Sequence, residues 1–508
     1  MTTTYTITLD SADDGSFSAD LSAATLKAKW WLGMTEPFAA IAAVATAEIL
    51  LQNPARALSP EVTAGLMPGT PLRIQADDGN AVHTLFTGFI TRVEPLPGDQ
   101  GARTAVIHAA GPETELHTTA VRLPPQVARR ADETIASLLA AVPLRRSPLA
   151  GRWVLGVTDH SELGEQTALP GDPLIALETG KTTCAYLGDT WEDGIPAIAA
   201  IRQLAESERG RFFTDRAGRL VFYNRHHTLL DTTPAAAFSD DMDGLTYTYG
   251  ADMANHVAIT LTPRHIGGAG STLWTLENPQ RIQPSESGFR QITARYRDAF
   301  DQPCGALVVT PPLPGMDYTA NTAADGSGAD ITPYVDVLLA QADFSAALLE
   351  VRNRSTGVAY LQAGATLRGT PLLQGDPVTV TEQDATSITF HGLHPLVFDL
   401  PALDSVEDAG QLARFELARR KDPRGAVHSL TLVSLRHRTA ILGRTLFDRI
   451  TVNETQTGHH ADYFIIGEAH TLDLGAARHR VTWTLEPAAG DFWVLGEGLL
   501  DQATVLAY

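Results

Sequence analysis

Period-two alternation recurs in short stretches along most of this chain. Thr4-Tyr5-Thr6-Ile7-Thr8-Leu9 opens it with a β-branched and apolar set, the pattern of a half-buried strand. Glu48 to Leu51 stops at Asn53-Pro54, a turn signal. Pro68-Gly69-Thr70-Pro71 leads into Leu72 to Gln75, and Asp77-Asp78-Gly79-Asn80 marks a hairpin turn before Thr84 to Ile90; Arg103 to Ala109 alternates again. Such strands with turns between them predict a small barrel or sandwich.

The period then changes. Ile135, Leu138 and Leu139 are spaced for a helix over Asp132–Val142, which Pro143 ends. Ile198, Ile201, Leu204 and Ala205 predict a second over Pro196–Glu208. Gly210 closes it, and Arg211 to Phe222 reads as a hairpin about Asp215-Arg216-Ala217-Gly218. Strands with long polar connections follow to about residue 400, with Asn321–Asp330 the most linker-like stretch. Ser405 with Asp408 makes a capping-box-like start for a helix over Asp408–Arg420, stopped by Asp422-Pro423. Strands resume at His428–Ser434, Phe447–Val452, Tyr463–Ile466 and His479–Leu485.

Composition is globular: 44% hydrophobic and 19% charged residues can bury a core. The formal charge of -21 opposes stable wrapping of nucleic acid, though not its passage. Two cysteines, Cys184 and Cys304, exclude a disulfide framework and read as two buried thiols. Met1 to Asp10 lacks the basic and apolar regions of a signal peptide. Phe38–Ala47 is too short to span a bilayer, so the expected product is soluble and made in the cytoplasm.

Candidate chemistry is sparse. His459-His460 with Asp462, in a glycine-led turn, is the nearest approach to a metal set, but adjacent strand residues point opposite ways. His226-His227 fails for the same reason and reads as a hairpin cap over a subunit contact. Gly267-Gly268-Ala269-Gly270 lacks the Lys-Ser/Thr of a phosphate loop, and no G-x-S-x-G elbow is present. Asp240, Asp241 and Asp243 read as an acidic surface turn. Trp30-Trp31 should place one ring in the core and offer the other as an inter-subunit anchor. Asn53 reads as a turn residue. No catalytic, cofactor-binding or metal-binding residue is assigned, no cofactor is expected, and the chain is expected not to be an enzyme.

Three stretches carry a family resemblance: Gly69 to Ile90 (G-x-P-L-R-I … L-F-x-G-x-I), Ala205 to Phe222 (AESERGRFFTDRAGRLVF), and the Ser405 helix through Asp422-Pro423 to D-R-I-T-V … D-Y-F-I-I-G-E-A-H-T-L and V-T-W-T-L-E-P at Asp448–Pro487. In this order they resemble the tail-tip and baseplate hub proteins of tailed bacteriophages, including myophage baseplate hubs and the N-terminal region of tail-associated proteins. The resemblance implies a mainly β, multidomain chain with an α+β insert and two small tube-lining β-barrels. The expected division is 1–120, an N-terminal tube-like barrel; 121–235, an α+β domain with a helix and β-hairpin; 236–404, a β-rich domain with long loops; and 405–508, a helix and C-terminal tube-like barrel, with no digestive or receptor-binding module after Trp493.

It further implies a homotrimeric structural protein of the virion tail tip, assembled in the host cytoplasm. That protein would close or continue the tail tube and open for genome ejection. Expected partners are the tail tube or distal tail protein, the tape measure protein and tail fibre or receptor-binding proteins. Viral DNA would be met only in transit past a neutral to acidic channel wall, and the host envelope is a further expected contact. The hub of a contractile injection system or prophage-derived particle is the alternative, and a cell-wall or polysaccharide hydrolase, which we do not expect, the second.

An internal repeat sharpens this expectation. Leu85-Phe86-Thr87-Gly88-Phe89-Ile90-Thr91-Arg92-Val93 lies over Phe464-Ile465-Ile466-Gly467-Glu468-Ala469-His470-Thr471-Leu472. Each has an Arg-Ile pair before it, at Arg73-Ile74 and Arg449-Ile450, and an alternating strand after it. Residues 1–120 and 425–490 are therefore expected to fold alike, so that three chains would give a ring of six.

Overall fold

The computed structural model describes residues 3–12, 15–62, 66–98, 103–144, 158–161, 165–168, 174–189, 191, 194–284, 288–476, 478–488, 492–493 and 505–506. Its largest element is a 13-stranded sheet. Seven strands come from the start of the chain: β1 (Thr4–Leu9), β2 (Ala19–Asp20), β3 (Thr25–Gly33), β4 (Thr46–Gln52), β5 (Pro71–Asp77), β6 (Val82–Leu96) and β7 (Thr104–Ala110). Six come from further on: β8 (Ala236–Ser239), β9 (Gly244–Tyr249), β10 (Gly425–Val433), β11 (Arg449–Glu454), β12 (His459–Asp473) and β13 (Arg478–Pro487). Period-two sequences put alternate residues on one face, as with Leu72, Ile74 and Ala76 of β5. That face builds a single core in which Ile7, Trp30, Ile74, Phe86 and Ile107 join Val427, Ile450, Ile465 and Trp483.

The two ends of the chain contribute half-sheets of the same strand order. The first runs β3-β4-β7-β6-β5-β1 and the second β9-β10-β13-β12-β11-β8. Taken in chain order, β3 to β7 and β9 to β13 therefore occupy matching places. One difference lies at the end, where β1 is antiparallel to β5 but β8 is parallel to β11.

Two features depart from two separate barrels at 1–120 and 405–508. The second half-sheet takes β8 and β9 from residues 236–249, ahead of its helix, because Tyr249 pairs with Gly425 and residues 250–424 are inserted between two neighbouring antiparallel strands. The halves are also joined edge to edge, in an open path of described strands. The reason lies in β12, which is 15 residues long. One edge lies along β13; the other takes β11 at His459–Phe464 and β3 at Gly467–Asp473.

β6 has the same 15-residue length. It takes β5 along Val82–Phe89 and β7 along Phe89–Leu96. Among the described residues, nothing fills the place beside its second part that β3 fills beside β12. The counterpart of β3, β9, likewise pairs on one edge only, with β10.

Residues 111–235 hold a second core around the helices Ala131–Ala141 and Ala197–Glu208. The latter buries Ile198, Ile201, Leu204 and Ala205 on one face, and Arg209, at φ 57°, turns the chain out of it. Next come Arg211–Thr214 and Leu220–Tyr223, the hairpin that the Asp215–Gly218 turn predicts. The insertion at 250–424 has two smaller cores of its own. Within it Asn321–Asp330 is an ordered loop rather than a linker, since the Asn321 amide donates to the carbonyls of Gly326 and Gly328. The helix Val406–Arg420 begins two residues before the expected Asp408, capped by Ser405, whose Oγ accepts from the Asp408 amide at 3.2 Å.

Candidate functional site: the seam between the half-sheets

At the joint between β3 and β12 both ends of the chain meet the central hairpin. Its backbone is close. A Cβ on Gly33, at φ +95°, would lie 2.3 Å from the Ile466 carbonyl oxygen, and one on Gly467 would lie 2.5 Å from that of Met34. Glycine is required on both sides of this crossing.

Beside it runs a buried polar chain. From the hairpin turn, Arg216 makes a two-pronged contact with Glu468, Nε to Oε2 at 2.8 Å and Nη2 to Oε1 at 3.1 Å. Its other donors reach the carbonyls of Leu442 and Ile441, the last turn of the helix Ser434–Gly443. Glu468 Oε2 meets His470 Nε2 at 3.1 Å, His470 Nδ1 meets His479 Nε2 at 3.0 Å, and His479 Nδ1 meets the Tyr5 hydroxyl at 3.1 Å. Trp30 stacks on His470 with centroids 4.7 Å apart and planes 8° apart. Glu468, His470 and His479 are all but inaccessible. Burial opposes the Glu468 charge, but Arg216 and His470 outweigh it and hold its carboxyl below the usual range. Burial also pushes both imidazoles down, His479 furthest, with His470 and Arg216 adding to the effect there.

Two further clusters hold the inner segments, the first of them to this sheet and the second to one another. Arg211 Nη2 donates to both carboxylate oxygens of Glu486 of β13, at 2.9 and 3.1 Å, and Glu486 Oε2 also accepts from the Phe38 amide at 2.6 Å. Glu416 receives Arg209, Arg419 and Arg420 at 3.0–3.1 Å. Burial alone would raise the Glu416 carboxyl; the three guanidiniums bring it down to about 2. Glu113 is the opposite case, its carboxyl raised by burial against the hydrogen bonds from Thr214 and Ala45.

The residues singled out from the sequence fall in different places. Trp30 is core and Trp31 half-buried. His459 and His460 lie at the start of β12, not in a turn, and diverge: His459 contacts the Tyr463 hydroxyl, His460 the Asn453 amide, and Asp462 takes Arg449. His227 is an internal packing residue, paired with Glu178 at 2.6 Å and stacked on Tyr223. Gly267–Gly270 is the loop between strands Arg264–Ile266 and Ser271–Thr275. Asp240 accepts from the Thr455 amide and Asp241 from that of Ser239. Asn53 accepts from the Leu58 amide within its turn. Cys184 is buried, whereas Cys304 is partly exposed, so only one of the two expected buried thiols is one. Among the described residues no three His, Cys, Asp or Glu are grouped to hold a metal ion, and no helix is long and apolar enough to cross a membrane. The sequence reading missed Arg216, Glu468, His470 and His479; a charged hairpin turn and a histidine in each of two strands carry no local sign of meeting.

No family model matches the chain, and no curated protein does. Among solved structures it is similar to a tail protein of Neisseria meningitidis MC58, at 9% identity and TM-score 0.48 over 96% of this chain and 97% of that one. It is similar to the 43 kDa tail protein of prophage MuSo2 from Shewanella oneidensis, at 10% identity and TM-score 0.48 over 96% and 99%. A component of the Escherichia coli type VI secretion system aligns at 11% identity and TM-score 0.24 over 66% and 74%. The chain is a multidomain, mainly β protein, and the solved structures it is similar to over more than nine-tenths of its length include phage and prophage tail proteins.

Proposed function

We propose that this chain is a structural hub of a phage-tail-type particle, acting as a homotrimeric ring that continues or closes a tube. The observation that carries this reading is the repeated strand order together with the two places it leaves unfilled. Within one chain, β3 of the first half-sheet sits beside the second part of β12. By the same pattern, β9 of one copy sits beside the second part of β6 in the next. This contact is head-to-tail, so it generates a ring if the rotation closes. With two like units per chain, three chains give six near-equivalent units and suit a six-fold tube.

Among the described residues, nothing pairs with either edge in the single chain. In β6, Thr91, Arg92, Pro95 and Leu96 are exposed, and in β9, Thr246 and Tyr249 are. Unpaired strand edges of this kind are templates for strand addition. The insertion at 250–424 and the residues after β7 hang from the ring, where they would meet fibre, receptor-binding or distal tail proteins and the tape measure protein. The formal charge of -21 fits DNA that passes without being held. The work of opening is a difference in inter-subunit contacts between two states, with no bond chemistry. The same ring would serve a contractile injection system.

Sedimentation of the full chain tests the reading. We expect a species of three times the chain mass with three-fold symmetry in projection images; a strictly monomeric chain at micromolar concentration, or a two-fold dimer, overturns it.

A further inference from the structure

We propose that the seam is a proton-operated latch: the His470–His479 pair keeps β3 on β12 while both rings are neutral and releases it when both are protonated. The direction of each hydrogen bond follows from the groups at the ends of the chain. Glu468, held as a carboxylate by Arg216, only accepts, so His470 Nε2 carries a hydrogen and donates. A neutral His470 then has a bare Nδ1, which accepts from His479 Nε2; the bare His479 Nδ1 accepts from the Tyr5 hydroxyl. Every position has one partner of the right kind.

One added proton can be absorbed. His470 becomes an imidazolium on Glu468, its Nδ1–H donates to His479 Nε2, and His479 passes its own hydrogen to Nδ1, facing the Tyr5 oxygen. A second cannot, because two N–H groups would then face each other across 3.0 Å.

The surrounding charges do not compensate. Among the described residues, Glu468 is the one carboxylate in hydrogen-bond contact with the pair, and it is already matched by Arg216 from the hairpin. Arg438, on the helix Ser434–Gly443, adds positive potential near Tyr5. Asp448, next to β11, senses Glu468 and Arg216, and burial raises its own carboxyl. The effect reaches the seam directly, since Trp30 and His470 are cross-strand partners as well as stacked rings.

Burial lowers both histidines in the closed state, which gives the sign. Their contribution is fully present above the unfolded value of about 6.5 and is lost as pH falls below it. The inference holds for the single chain and does not rest on the ring.

Hydrogen exchange of the unmodified full chain at pH 7.5 and 5.5, corrected for intrinsic rates, tests it. Peptides over Lys27–Gly33 and Gly467–Asp473 should lose protection about tenfold or more relative to the β5–β6 hairpin, tenfold being the factor from one histidine over this range. The double variant His470→Gln/His479→Gln, which keeps donors and acceptors but does not titrate, should abolish that difference. Equal protection at the two pH values, or a loss that persists in the double variant, overturns the latch. Should that variant not fold, fluorescence of the parent minus that of Trp30→Phe gives a second reading: it should be quenched with a midpoint below pH 6.5, in step with the exchange, and a flat difference overturns the latch.

Discussion

Arg216→Ala should destabilise the chain by about 3–5 kcal/mol, the cost of leaving one partner of a buried ion pair uncompensated. The residue is 6% exposed, and with it go both contacts to Glu468 and the bonds to the carbonyls of Ile441 and Leu442. Among the described residues, Glu468 would keep only His470 as a partner in a buried site. Adding Glu468→Gln to Arg216→Ala should recover part of the loss, because the stranded charge is removed. Urea unfolding midpoints of the three chains check this; a loss below about 1 kcal/mol, the size of an exposed pair, would mean that the contact does not hold the hairpin to the seam.

Gly33→Ala should have the second largest effect, roughly 2–4 kcal/mol from backbone strain and overpacking together. Its φ of +95° disfavours any side chain, and the new methyl would lie 2.3 Å from the Ile466 carbonyl oxygen, which is fixed in the sheet. Gly364→Ala separates the two causes. That residue has φ +84° and nothing within 4 Å of an added Cβ, so it should lose roughly 1 kcal/mol. Equal losses at the two positions would show that close approach at the seam contributes nothing.

Much of this sheet was legible because most of its strands bury one face. Thr4–Leu9 was read to the residue, and the turn at Asp77–Asn80 put β5 and β6 in register as neighbours. The repeat about Gly88 and Gly467 was visible for the same reason, and the matching strand orders follow it. β12 was read only at Tyr463–Ile466, whereas it runs from His459 to Asp473. Tyr463 to Glu468 are buried without alternation, having β13 on one edge and β11 or β3 on the other and packing on both faces, and a continuous run gives no period.

The helix Ser434–Gly443 was missed for a different reason. Arg436, His437 and Arg438 interrupt its apolar stripe, and His437 is non-helical at φ -117°, ψ 31°. The seam was beyond reach altogether. Arg216 and Glu468 are 252 positions apart, and a charge in an Asp-x-x-Gly turn is ordinarily solvated. Only the pairing of β3 with β12 brings the two ends of the chain around that turn.

The central claim is that β9 of one copy pairs with the second part of β6 in the next. It is tested most directly by placing Thr246→Cys and Arg92→Cys in one full-length chain on a Cys304→Ser background and adding a short bifunctional maleimide. Both positions are exposed in the single chain and Cys184 is buried. The account predicts covalent species of one, two and three chains, ending at three, with each single-cysteine chain giving no species above one. Products confined to one chain, or a ladder that continues past three, would contradict it.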